Sequence, residues 1–229
     1  MRPAFPSACH VPHLASSLHP VSPSAPPHLT ARGLACRRGS RLLFHGLAFD
    51  VGAGQVVWVR GRNGSGKTSL LRLAAGLSSP EQGEIGGHGT AVEGPRCVFI
   101  GHTNALKDDL RVDEALAFLL RIHGRPSDAA TVQAALEPWG MLSRRTAPVR
   151  TLSQGQRRRV ALARLAVEDG TLPWILDEPF DALDADGAER LSGLLHAHLR
   201  RGGGVLLSSH VPLNAALLQP IEIDLDRYS

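Results

Sequence analysis

Gly61-Arg62-Asn63-Gly64-Ser65-Gly66-Lys67-Thr68 decides how the rest of this 229-residue chain is read. The run fits G-x-x-x-x-G-K-[ST], and its flanks suit that pattern. Gln55 to Arg60, with Val56, Val57, Trp58 and Val59, reads as a strand; Ser69 to Ala75 reads as a helix that stops at Gly76. Glycines at 61, 64 and 66 let the backbone curl so that successive N–H groups point inward, and the helix start adds partial positive charge. Main-chain donors from Gly61, Asn63, Gly64, Ser65, Gly66 and Ser69 are therefore expected to hold a polyphosphate. Lys67 is expected to reach the β and γ phosphates, and the Thr68 hydroxyl to meet Mg²⁺. Only one other lysine, Lys107, occurs among 25 basic residues, so a compact ammonium rather than any cation is wanted at 67.

Working outward, Leu172-Pro173-Trp174-Ile175-Leu176 is an apolar run that ends in Asp177-Glu178-Pro179. That is the pattern of a buried parallel strand delivering carboxylates at its C-terminal edge. Asp177 is expected to hold Mg²⁺ directly or through water, and Glu178 to orient and deprotonate a water attacking the γ-phosphate. A histidine, His210, follows the predicted strand Val205 to Leu207, itself preceded by a helix from Asp184 to Arg200 and a Gly202-Gly203-Gly204 turn. This order brings His210 to the same sheet edge as Asp177.

Leu152-Ser153-Gln154-Gly155-Gln156 resembles the signature motif of ATP-binding cassette (ABC) ATPases, and Phe180-Asp181-Ala182-Leu183-Asp184 resembles their D-loop. The resemblance covers about residues 34 to 215. It implies an α/β P-loop fold: a mostly parallel sheet flanked by helices, an antiparallel N-terminal part and an inserted helical subdomain. It also implies ATP and Mg²⁺ as cofactors, with two ATP molecules buried between two head-to-tail cassettes of a homodimer. Ser153, Gln154, Gly155 and Gln156 would then contact the partner's ATP, Asp184 would serve in the D-loop, and His210 would sense the γ-phosphate. The same residues suit a capped helix entrance, since Ser is a favoured N-cap. A nucleotide kinase shares the phosphate loop but has no need of residues 152 to 156.

His102 stands where most of this family has a glutamine, after the strand that follows the phosphate-loop helix. Imidazole can bind metal or orient water, with a pH dependence near neutrality. Gly101-His102 followed by Lys107 and Leu110, the run Trp174 to Phe180, and Leu42-Leu43-Phe44-x-Gly46-Leu47 are similar to the haem-exporter ATP-binding subunits of cytochrome c maturation. That likeness implies integral-membrane permease partners of the CcmB/CcmC kind, indirectly a haem chaperone, and a peripheral place on the cytoplasmic face of the cell inner membrane. An ATPase subunit for a different cargo and a soluble ABC-type regulatory module remain open. Arg38 falls where the adenine-stacking aromatic is usual, and its guanidinium plane can stack instead.

Composition bounds the reading. A chain of this length, 43% hydrophobic, holds one domain, and no stretch reaches the roughly 18 apolar residues of a membrane span. A net charge of +4 and 4% aromatics give neither a basic face nor stacking platforms for nucleic acid. Arg157-Arg158-Arg159, the densest basic cluster, reads as a solvated helix face. Residues 1 to 30, with seven of the 16 prolines before residue 28, read as a disordered extension without the layout of a secretory signal. The ABC domain is expected from 31 to 229. Cys9-His10-x-x-His13 matches no metal or haem spacing, and three cysteines suit a reducing compartment. From about 103 to 165 the pattern is helical: Val112, Ala115, Leu116, Leu119 and Leu120 share one face, and Val132, Ala135 and Leu136 another. The ABC resemblance implies that the loop from His102 to Leu110 meets a membrane partner, which makes Lys107 and Asp108 candidate contacts. No internal repeat is visible.

Overall fold

The computed structural model describes residues 28–87 and 97–229. In chain order the elements are β1 (Leu29–Arg38), β2 (Arg41–Val51), β3 (Val56–Arg60), α1 (Lys67–Ala74), β4 (Gln82–Gly87), β5 (Val98–Ile100), α2 (Val112–Ile122), α3 (Ala129–Leu136), α4 (Gln154–Ala163), β6 (Trp174–Leu176), α5 (Ala185–Arg200), β7 (Val205–Ser208), α6 (Ala215–Leu218) and β8 (Ile221–Asp224). β1 begins at Leu29, whose side chain is buried in the core beneath the antiparallel sheet. The Cys9-His10-His13 group lies outside the described residues.

Two sheets form. β2-β1-β4 is antiparallel, and β5-β6-β7-β3-β8 is parallel throughout. The inner parallel strands β6, β7 and β3 are apolar at nearly every position because both faces are covered, and their side chains alternate between two cores. Val56, Trp58, Trp174, Leu176, Val205 and Leu207 face one cluster; Val57, Val59, Ile175 and Leu206 face the other. The second cluster takes Leu70, Leu71 and Leu73 of α1 and the buried side chains of β1 and β2. The first takes Val112, Ala115, Leu116 and Leu120 of α2, Val132, Ala135 and Leu136 of α3, and Leu191 and Leu195 of α5. The helical stripes expected from the sequence are thus buried, and they join the core of the sheet rather than forming a separate one.

Local chemistry sets the helix starts. Asp128 caps α3 by accepting from Thr131 N, and Asp184 caps α5 by accepting from Gly187 N at 3.0 Å. The Glu114 carboxylate accepts from Arg111 N at the head of α2. Each satisfies a donor that the first helical turn leaves free. Inside the core, the His198 ring on α5 stacks on Trp174 with centroids 3.9 Å apart. Gly203 is required there, since a Cβ would come within 2.2 Å of that ring. Burial, with the Arg201 charge adding to it, lowers the His198 pKa to about 4.

Candidate active site at the parallel sheet edge

Strand order positions the site. β7 lies between β6 and β3, so the loops after β3, β6 and β7 meet at one edge, the C-terminal edge where parallel α/β sheets bind ligands. The loop after β3 runs from Gly61 to Gly66 and leads into α1. Gly61, Gly64 and Gly66 have φ of +144°, +79° and +106°, values that L side chains rarely adopt. Gly66 is also closely approached: an added Cβ would lie 3.1 Å from Leu43 Cβ and 3.2 Å from the Phe44 ring, so the antiparallel sheet supports the loop from outside. Lys67 is buried, and its Nζ donates to the carbonyls of Gly61 at 2.9 Å and Arg62 at 3.3 Å, which holds the ammonium across the loop. Ser65 is buried, Ser69 is half-buried, and Asn63 and Thr68 are exposed.

The acidic pair leaves β6 as expected and is built into a network. Asp177 is 1% exposed; its Oδ1 accepts from Ser208 Oγ at 2.9 Å, while its Oδ2 has no hydrogen-bond partner among the described residues. The Ser208 hydroxyl also accepts from Glu178 N at 3.0 Å. Glu178 sits at φ +47°, a sparsely populated conformation for a non-glycine residue. Its Oε2 accepts from His210 N at 2.9 Å, and His210 Nε2 lies 3.3 Å from Oε1. Burial pushes the Glu178 pKa above the ordinary carboxylate value, against the pull of the His210 N–H, its ring and Lys67. A carboxylate raised in this way is better suited to accept a proton near neutrality. His210 itself is half exposed and aimed at Glu178.

The signature motif opens α4, which begins at Gln154. Ser153 is its N-cap: the hydroxyl accepts from Gln156 N at 3.2 Å, and Gln156 Oε1 accepts from Ser153 N at 3.0 Å. The capped entrance and the motif are therefore one object. Gly155 has a steric reason as well, because a Cβ there would lie 2.6 Å from the carbonyl of Ala182 in the D-loop. Ser153 and Gln154 are exposed. Asp184 pairs with Arg159, and that hydrogen bond, more than the Gly187 N–H, lowers its pKa. His102 is exposed just beyond β5, and Arg38 is exposed at the β1–β2 hairpin.

The arginine triplet is not a solvated face. Arg158 is 3% exposed and is surrounded by carbonyl oxygens. Arg157 pairs with Asp108 at 2.6 Å, and Arg159 with Asp184. Three like charges in a row look alike in sequence; α4 turns the middle one into the protein interior. Lys107 covers the Phe118 ring at 4.8 Å. Ser208 was invisible to motif reading, its only trace being a polar residue ending an apolar strand. No helix among the described residues is long and apolar enough to cross a membrane.

Comparison with known proteins agrees with this geometry. Residues 44–181 match the family model described as ABC transporter. The chain is 47% identical over 189 residues to the cytochrome c biogenesis ATP-binding export protein CcmA of Pseudomonas putida, covering 80% of this chain and 89% of the relative. Identity to the protein of the same name from Shigella flexneri is 44%, over 82% and 91% of the two chains. A putative ABC transporter ATP-binding protein from Pyrococcus furiosus superposes with a TM-score of 0.74 at 26% identity, covering 88% of this chain and 98% of that one. With more than half of its length matched by that family model and relatives above 40% identity over most of both chains, the chain belongs to the ABC transporter family as an ATP-binding ATPase subunit.

Proposed function

We propose that this chain drives the export step of c-type cytochrome biogenesis, hydrolysing ATP in a homodimer of cassettes that works on integral-membrane permease subunits. The observation that carries the catalytic part is the Ser208-linked pair Asp177 and Glu178, with His210 closing on Glu178 at the edge that holds the phosphate loop. The cytochrome c biogenesis name that these relatives share, at 40–47% identity over most of their length, supports the cytochrome c part.

The residues present fit Mg²⁺. Asp177 Oδ2 is a buried carboxylate oxygen without a partner among the described residues, and Thr68 lies in the first turn of α1. These two would hold the ion, which supplies charge neutralisation on the β and γ phosphates when bound. Lys67 exchanges its loop carbonyls for phosphate oxygens. Loop N–H groups from Gly61 to Ser69 position the polyphosphate, and Glu178 accepts the proton of the attacking water while His210 orients it and senses the γ-phosphate. Ser153, Gln154, Gly155 and Gln156 start an exposed helix suited to the phosphate end of the partner's ATP. Asp184, tied to that helix through Arg159, carries closure of the dimer to the acidic pair. His102, standing where the family usually has a glutamine, would meet the ion or the attacking water through a ring nitrogen. In this reading the chain sits peripherally on the cytoplasmic face of the cell inner membrane, with the permease as its direct partner and a haem chaperone as an indirect one.

Tagged Glu178→Gln protein, extracted from native-host membranes with ATP and Mg²⁺, tests this. Co-purification of a multi-span permease with haem absorbance is expected. A permease without haem-pathway proteins would reassign the cargo, and recovery from cytosol alone would favour a regulatory module.

A further inference from the structure

Arg158 is a buried cation that no carboxylate among the described residues contacts directly. Its NH2 donates to the carbonyls of Asp177 at 2.8 Å and Glu178 at 2.7 Å, its Nε to Pro179 O at 3.3 Å, and its NH1 to Gly101 O at 3.0 Å and Asn104 Oδ1 at 3.2 Å. Three consecutive carbonyls around the acidic pair, and two oxygens flanking His102, thus converge on one planar group. Burial lowers the Arg158 pKa, and Asp181, Asp177 and Glu178 hold it charged from a distance.

We propose that Arg158 is the positioning residue for Glu178, its guanidinium clamping the Asp177–Pro179 backbone in the conformation that aims the base and tying it to the His102 segment and α4. The inference rests on the reading of Glu178 as the base. Geometry gives the reason. Glu178 at φ +47° persists only where its surroundings over-determine it. Ser208 and Asp181 fix that residue at its two ends, through Glu178 N and O. The Arg158 fork adds bonds to the carbonyls before, at and after it. Arg157 and Arg159 attach the same helix to Asp108 and Asp184, so three successive side chains tie the helix that would meet the partner's ATP to the loop beyond His102, to the backbone of the base and to the D-loop. A lysine cannot replace the fork: three donors on one nitrogen do not reach carbonyls spread around a plane.

The test is Arg158→Lys in the full chain, made alone and with Glu178→Gln, followed by ATPase kinetics, nucleotide binding and thermal unfolding. Misplacement of a base by a fraction of an ångström to 1 Å lowers kcat by about ten- to a hundred-fold. That loss is expected with KM and ATP affinity unchanged within about three-fold, the split of a group acting on the reacting geometry. In the Glu178→Gln background the further loss is expected to be under about two-fold, since residues acting as one unit are not additive. A kcat within about two-fold of the parent, or an equal loss in both backgrounds, would overturn the proposal. Should Arg158→Lys not fold, Asn104→Ala, which removes the one side-chain acceptor, carries the test: about a three-fold loss of kcat only where Glu178 is present supports it, and unchanged kcat overturns it. Glu178→Gln alone separates the two readings. Full activity there would remove Glu178 as the base, whereas an inactive Glu178→Gln beside a fully active Arg158→Lys overturns only the role of Arg158.

Discussion

Ser208→Ala tests the joint on which the site is hung. The hydroxyl donates to Asp177 Oδ1 at 2.9 Å and accepts from Glu178 N at 3.0 Å, and the residue is fully buried. Alanine fits the space but strands both partners. An unsatisfied buried group costs about 1–3 kcal/mol, so two give roughly 2–6 kcal/mol, reduced by whatever relaxation the loop after β6 allows. For a domain near 200 residues, a loss of about 2 kcal/mol lowers Tm by about 4–8 °C. Catalysis should suffer separately. Glu178 N is one end of a residue held at φ +47°, and releasing it frees the carboxylate from its place against His210. Nucleotide affinity should stay near the parent value, since Lys67 and the loop N–H groups are untouched. The assay is paired: urea unfolding for stability, and steady-state ATPase with a fluorescent nucleotide titration for the site. A stability loss under about 1 kcal/mol would mean that water or a shifted backbone satisfies both groups, and the account of the joint would fall. Full kcat would show that Glu178 needs no such anchor.

His198 gives a pH prediction. Its folded pKa of about 4 lies below the ordinary 6.5, so between those values the unfolded chain binds a proton that the folded chain refuses, and stability rises with pH across the window. Between pH 7.5 and 5 the wild type should lose about 2 kcal/mol through this group, and His198→Phe, which keeps the stack on Trp174, should lose that much less; equal pH slopes would refute it. Gly155→Ala drives a Cβ to 2.6 Å from the Ala182 carbonyl, so the signature helix and D-loop must separate; ATPase activity should fall at least about ten-fold while monomer ATP binding persists, and a normal rate would show the pair to be slack. Because burial raises the Glu178 pKa, the acid limb of kcat should lie above the ordinary carboxylate range, and a limb at or below that range would contradict the burial argument.

Much of this was legible in the chain itself. The phosphate loop, the acidic pair, the signature and their order carried the fold, because each needs particular residue types at fixed local spacing: glycines at positive φ, a lysine at the helix start, an apolar strand ending in two acids. Helical stripes such as Val112, Ala115, Leu116 and Leu120 were legible for a similar reason, since a 3.6-residue period records a buried face. Nothing local records what lies across the sheet. Ser208 matters only because β7 inserts between β6 and β3, and that strand order comes from chain crossovers rather than from any motif. Arg158 looks identical to its neighbours, yet its partners are main-chain carbonyls, which every residue possesses and no side-chain pattern marks. Gly155 read as a bare phosphate donor, and only the packed D-loop shows that its missing Cβ makes room for Ala182. The sequence by itself determined which chemistry the chain carries, because that chemistry lives in contiguous motifs. Tertiary structure alone decided how the acidic pair is held, because those bonds run between residues from 19 to 32 positions apart and exist only once the parallel sheet has closed.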